Sequence, residues 1–66
     1  MKTIFRVEID CANCANKIEE LIEKKLGVEC NINFMTQKMM VEHEEEIDVE
    51  DILAIGKKVD RDFQIL

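Results

Sequence analysis

From Thr3 to Ile9 the chain alternates, with Phe5, Val7 and Ile9 on one side and Ile4, Arg6 and Glu8 on the other, which is the period of a half-buried strand. The period then changes. From Cys14 to Leu26 the apolar residues Cys14, Ala15, Ile18, Leu21, Ile22 and Leu26 recur at three- and four-residue steps, with Lys17, Glu19, Glu20, Glu23, Lys24 and Lys25 between them. This pattern predicts an amphipathic helix that stops at Gly27. Alternation returns with Val28, Cys30, Ile32 and Phe34, turns through Met35-Thr36-Gln37, and continues in a third strand over about Lys38 to His43 that buries Met39 and Val41. Asp48 has the character of an N-cap, with Asp51 at the capping-box position and Ile47 and Ile52 placed to form a hydrophobic staple. The helix it opens runs to about Val59, with an inner stripe of Val49, Ile52, Leu53, Gly56 and Val59. After a turn through Asp60, Arg61 and Asp62, Phe63 and Ile65 alternate in a short last strand.

The order strand-helix-strand-strand-helix-strand predicts an α+β fold, the ferredoxin-like βαββαβ sandwich. In it an antiparallel four-stranded sheet carries both helices on one face. Residues 1–66 form one domain, with no linker or repeat. At this length a single apolar core is near the lower limit for independent folding, and a catalytic domain has no room.

The first strand delivers Asp10-Cys11-Ala12-Asn13-Cys14 to the start of the first helix. Residues three apart meet on a helix's first turn, so both thiols point toward a common spot. Unpaired N–H groups at the helix N-terminus favour the thiolate. A metal with bonds of about 2.3 Å to sulfur can bridge two such thiols.

A lone Cys-x-x-Cys admits three readings: a metal site for transfer, a dithiol redox centre, or half of a structural zinc site. A structural zinc site needs four protein ligands, and only Cys30 and His43 remain, on strands that do not converge on the motif. Thioredoxin-like oxidoreductases resemble one another in an aromatic residue before the motif and a cis-proline facing it. Here Asp10 precedes Cys11, the chain has no proline, and a nearby carboxylate opposes thiolate formation. Cys30 alternates with apolar neighbours and reads as core. His43 ends a strand in an acidic run and reads as solvent-facing or structural, and the methionines read as packing or surface.

A net charge of -6, with an acidic run from Glu42 to Glu46 broken only by His43, argues against nucleic acid as a partner. Three cysteines are an odd number for a disulfide-stapled secreted scaffold, and the expectation is a reducing, cytoplasmic setting. No apolar run approaches the ~18 residues of a membrane span. The chain itself is therefore not expected to enter a membrane, although it suits the soluble part of an integral membrane protein.

The sequence resembles a heavy-metal-associated domain, the module of soluble metallochaperones and of the N-terminal regions of metal-exporting P-type ATPases. The resemblance is carried by Cys11-x-x-Cys14-Ala15 after a strand, followed by Lys17-Ile18-Glu19. Gly27-Val28, Lys38-Met39-Met40-Val41-Glu42 and Val49-Glu50-Asp51-Ile52 extend it over the whole chain. It implies the same ferredoxin-like fold, no catalytic activity in the domain itself, and metal held by Cys11 and Cys14.

Copper-handling members usually read Gly-Met-Thr before the first cysteine, where this chain has Glu8-Ile9-Asp10. They also tend to carry Gly followed by Tyr, Phe or Lys before the last strand, where Asp60-Arg61 stands here. Asp beside the first cysteine resembles the exporters of zinc, cadmium and lead. Cu(I) is content with two thiolates, whereas Zn²⁺ takes four donors, oxygen among them. The expected ligands are thus Cys11, Cys14 and Asp10, with Zn²⁺, Cd²⁺ or Pb²⁺ as the ion. The expected partner is the transmembrane part of an exporting ATPase or another metal-binding domain. The alternatives are a free-standing copper(I) chaperone, a thiol oxidoreductase and, for Asp10, a role as helix cap alone.

Overall fold

The computed structural model describes residues 1–66. Its elements are β1 (Lys2–Glu8), α1 (Ala12–Leu26), β2 (Glu29–Asn33), β3 (Lys38–Glu42), α2 (Val49–Val59) and β4 (Gln64–Ile65). The strands form one sheet in the order β2-β3-β1-β4, every neighbouring pair antiparallel. This is the ferredoxin-like sandwich that the alternating periods imply.

The alternation along the two central strands decides what the sheet buries. Val7, Met39 and Val41 are at most 1% exposed, while Ile4 on the other face of β1 is 62% exposed. Ile18 and Ile22 of α1 and Ile52 and Ile55 of α2 close over them. α2 differs from its expected stripe, since Ile55 is buried and Val49 is exposed. Ile47, ahead of the Asp48 cap, packs half-buried against the core. The capping box also stays half made. Asp48 accepts from the Glu50 N–H at 2.9 Å, and Asp51 contributes its N–H to the Asp48 carbonyl rather than a returning side chain.

α1 begins at Ala12, two residues before the apolar period does, because Ala12 and Asn13 are exposed and add nothing to that period. It ends at Gly27, whose φ of 65° is left-handed and whose N–H donates to the Glu23 carbonyl at 3.0 Å. β4 has only two residues. Phe63, expected within it, instead lies fully buried against Gly56.

β2 is an edge strand, and its outward N–H groups at Cys30 and Ile32 are taken by the carboxylates of Glu23 and Glu19 from α1. His43 extends the buried alternation of β3 and is structural rather than solvent-facing. One ring nitrogen lies 2.9 Å from Thr3 Oγ1, the other meets the Glu45 carbonyl, and its N–H donates to the Met1 carbonyl at 2.8 Å.

Cys30 lies in the core. Burial, reinforced by the charges of Glu19 and Glu23, pushes its thiol up to about 12. It should therefore resist alkylation in the native protein. Iodoacetamide at about pH 8 is expected to add first to Cys11, more slowly to the partly exposed Cys14, and to Cys30 only after denaturation. Three adducts forming at equal rates in mass spectra would refute the burial of Cys30.

Candidate metal centre

Ile9, 4% exposed, anchors the end of the segment that leaves β1, and the chain turns there into α1. Cys11 is the N-cap of that helix. Its φ of -134° and ψ of 120° are extended, and its sulfur takes the place a serine or aspartate oxygen usually fills, accepting the Cys14 N–H at 3.3 Å. Asp10 is therefore not the cap. Cys14, on the first turn, points its thiol back toward the Cys11 sulfur, and both cysteines are partly exposed and free of disulfide.

The two thiols are unlike. Cys11 is held below the ordinary thiol range, first by the hydrogen bond from the Cys14 thiol and then by the N–H groups of Cys14 and Asn13. Cys14 is raised, because donating that hydrogen bond favours its protonated form, with desolvation and the Cys11 charge adding to it. The two thiols therefore give up their protons unequally, Cys11 before Cys14, and they titrate as a pair. An incoming ion therefore displaces a proton more readily from Cys11 than from Cys14.

Asp10 is exposed and lines a shallow concavity with Arg6, Thr36, Gln37 and Asp62. No third Cys, His, Asp or Glu gathers with Cys11 and Cys14 into a group of three able to hold a metal ion. The carboxylate whose charge acts on both sulfurs is Asp60, which opposes the thiolate of each, while Lys17 favours that of Cys14. Asp60 is half-buried and fixed. It caps the C-terminus of α2 through its N–H to the Gly56 carbonyl at 2.9 Å, and its Oδ1 accepts the Asp62 N–H at 3.0 Å. The sequence marked this position as part of a turn and as a departure from the copper-handling pattern, with nothing to link it to the cysteines.

A cysteine pair at the start of a helix, on a ferredoxin-like sandwich, is the arrangement of a metal-binding module. The chain belongs to the heavy-metal-associated domain family, whose model matches residues 4–59. Among solved structures it is similar to the yeast copper transporter domain Ccc2a, studied in its apo and Cu(I)-loaded states. That match has 27% identity and a TM-score of 0.76, covering 98% of this chain and 93% of that one. A domain studied for crosstalk between Cu(I) and Zn(II) homeostasis matches at 25% identity and a TM-score of 0.76, over 100% of this chain and 99% of the other. The CopZ metallochaperone shares the fold at 17% identity, with a TM-score of 0.78 and full coverage of both chains. Among curated proteins none matches the sequence. No helix is long and apolar enough to cross a membrane.

Proposed function

We propose that this domain takes up a soft or borderline divalent ion, Zn²⁺, Cd²⁺ or Pb²⁺, and passes it on by ligand exchange. It would do so as the N-terminal delivery or regulatory domain of a metal-exporting P-type ATPase. Cys11 and Cys14 supply the sulfurs, and Asp10 turns in as the third donor.

The observation that carries this reading is the Cys11-x-x-Cys14 pair at the start of α1 with Asp10 directly before it, and the Asp60 charge, which opposes the thiolate of both cysteines, adds to it. Two thiolates around Cu(I) keep a charge of about -1, and adjacent carboxylates make that assembly less favourable. A dication neutralises the thiolates and is attracted by the same carboxylates. Open positions on the ion let a partner's donor bind before Cys11 or Cys14 leaves, so transfer proceeds without a free ion.

A second reading, handling of Cu(I), draws support from the two-sulfur geometry, which suits a two-coordinate ion, and from the Cu(I)-loaded Ccc2a domain. Two competition titrations under reductant decide between them, one against a Zn²⁺ chelator and one against a Cu(I) chelator. In Asp10→Ala, Zn²⁺ affinity is expected to fall by ~10–100-fold while Cu(I) affinity holds or rises. Asp60→Asn, which keeps the acceptor for Asp62, should shift the ratio the same way by a smaller factor. Unchanged Zn²⁺ affinity in Asp10→Ala would remove Asp10 from the site, and equal losses of both ions would favour Cu(I).

A further inference from the structure

Gln37 is the one non-glycine residue with a left-handed backbone, at φ 57°. It ends the turn that joins β2 to β3, in which Asn33 Oδ1 accepts the N–H groups of Met35 at 3.0 Å and Thr36 at 3.2 Å. Turns of this kind close on a left-handed residue, and glycine or asparagine adopts that conformation at lower cost. The glutamine therefore calls for a reason beyond the turn.

Its hydrogen bonds supply one. The Gln37 carbonyl accepts the Val7 N–H at 3.0 Å, its Oε1 accepts the Ile9 N–H at 2.8 Å, and its Nε2 donates to the Phe34 carbonyl at 2.8 Å. In the β1–β3 register Val7 stands opposite Gln37, and the next rung, at Ile9, would need Met35, which the turn has carried away. The side chain of Gln37 fills that missing rung and is itself tied to the turn. Only Asp10 separates the bonded Ile9 from Cys11, the cap of α1.

We propose that Gln37 is a positioning residue for the metal-binding dithiol: it extends the sheet by one side-chain rung to Ile9 and so fixes where Cys11 begins the helix. The costly left-handed backbone is retained because a glycine or asparagine there could close the turn but not reach Ile9. The proposal rests on metal binding by Cys11 and Cys14.

Gln37→Gly and Gln37→Asn test it, since both suit the left-handed turn and neither spans to Ile9. Amide exchange at Ile9 is expected to speed up by at least about 10-fold while Val7 stays protected. Zn²⁺ affinity should fall by roughly 10-fold, the lower end of what supporting contacts contribute. The urea midpoint should hold or rise. Gln37→Glu, which keeps an acceptor for Ile9, should restore protection there. Wild-type affinity despite fast exchange at Ile9 would overturn the proposal, as would a loss of affinity that tracks a loss of global stability. If the wild type bound none of Zn²⁺, Cd²⁺, Pb²⁺ or Cu(I), the proposed function would fail instead, and exchange from Ile9 to Cys14 would still decide whether Gln37 holds the loop.

Discussion

Cys11→Ser and Cys14→Ser should each abolish tight metal uptake, whereas Cys30→Ser should leave it intact and weaken the fold. A hydroxyl cannot replace a thiolate for a soft ion, and losing one of two sulfurs should exceed the ~10–100-fold cost of outer contacts. Both loop cysteines are partly exposed, so their serine variants should unfold much as the wild type does in its apo form. At position 30, where the residue is 7% exposed, the hydroxyl enters the core at an expected cost of about 1–3 kcal/mol. The pH dependence of uptake follows from the unequal thiols. Below the lowered pKa of Cys11 both sulfurs carry protons and uptake releases two; between that pKa and the raised one of Cys14 it releases one. Affinity should accordingly weaken on acidification, with a slope that steepens once Cys11 is protonated. Native mass spectrometry of the three variants and proton release measured across pH check these points. Loss of metal from a folded Cys30→Ser protein would place the site elsewhere.

Gly56→Ala should destabilise the domain even though alanine is the better helix former. A methyl group at Gly56 would come within 2.3 Å of Phe63 Cδ2 and 2.4 Å of Cε2, and the ring is fully buried. Overpacking of that kind costs about 1–3 kcal/mol, more than the ~1 kcal/mol that alanine contributes within a helix. Phe63→Ala errs the other way, emptying the site at about 3–5 kcal/mol. For a chain of 66 residues, where total stability is roughly 3–10 kcal/mol, that change should leave much of the protein unfolded at ordinary temperatures. Urea midpoints give both values. The contact predicts coupling as well: in a Phe63→Leu background the Gly56→Ala penalty should shrink. A Gly56→Ala protein more stable than the wild type would mean that the ring and the helix do not touch as described.

The legible parts of this molecule were those that a period can encode. Alternation in β1, β2 and β3 and the three- and four-residue steps of α1 were enough for element order, fold and the core positions Val7, Ile18, Ile22, Met39 and Val41. Cys-x-x-Cys announced itself by spacing. What a period could not encode was anything set by two distant segments meeting. Ile55 is buried and Val49 exposed, as the packing of α2 on α1 and the sheet decides and its own period does not. Phe63 is drawn out of the last strand by the bare backbone of Gly56. The motif marked the start of α1 but not its first residue, because the cap is a sulfur and Ala12 and Asn13 are exposed. The charge of Asp60 at the thiols and the reach of Gln37 to Ile9 both span separations that only the folded chain closes.

The two glutamates laid along β2 bear on how such domains tolerate crowding. With Glu19 and Glu23 occupying the N–H groups of Cys30 and Ile32, that border of the sheet is a poorer template for an extended segment of another molecule. The opposite border, β4, is only two residues long. Copies strung close together on one polypeptide, or concentrated at a membrane surface, could collide often without zipping into a continuous sheet. Encounters would then be left to side chains, and contacts of that kind dissolve as quickly as they form.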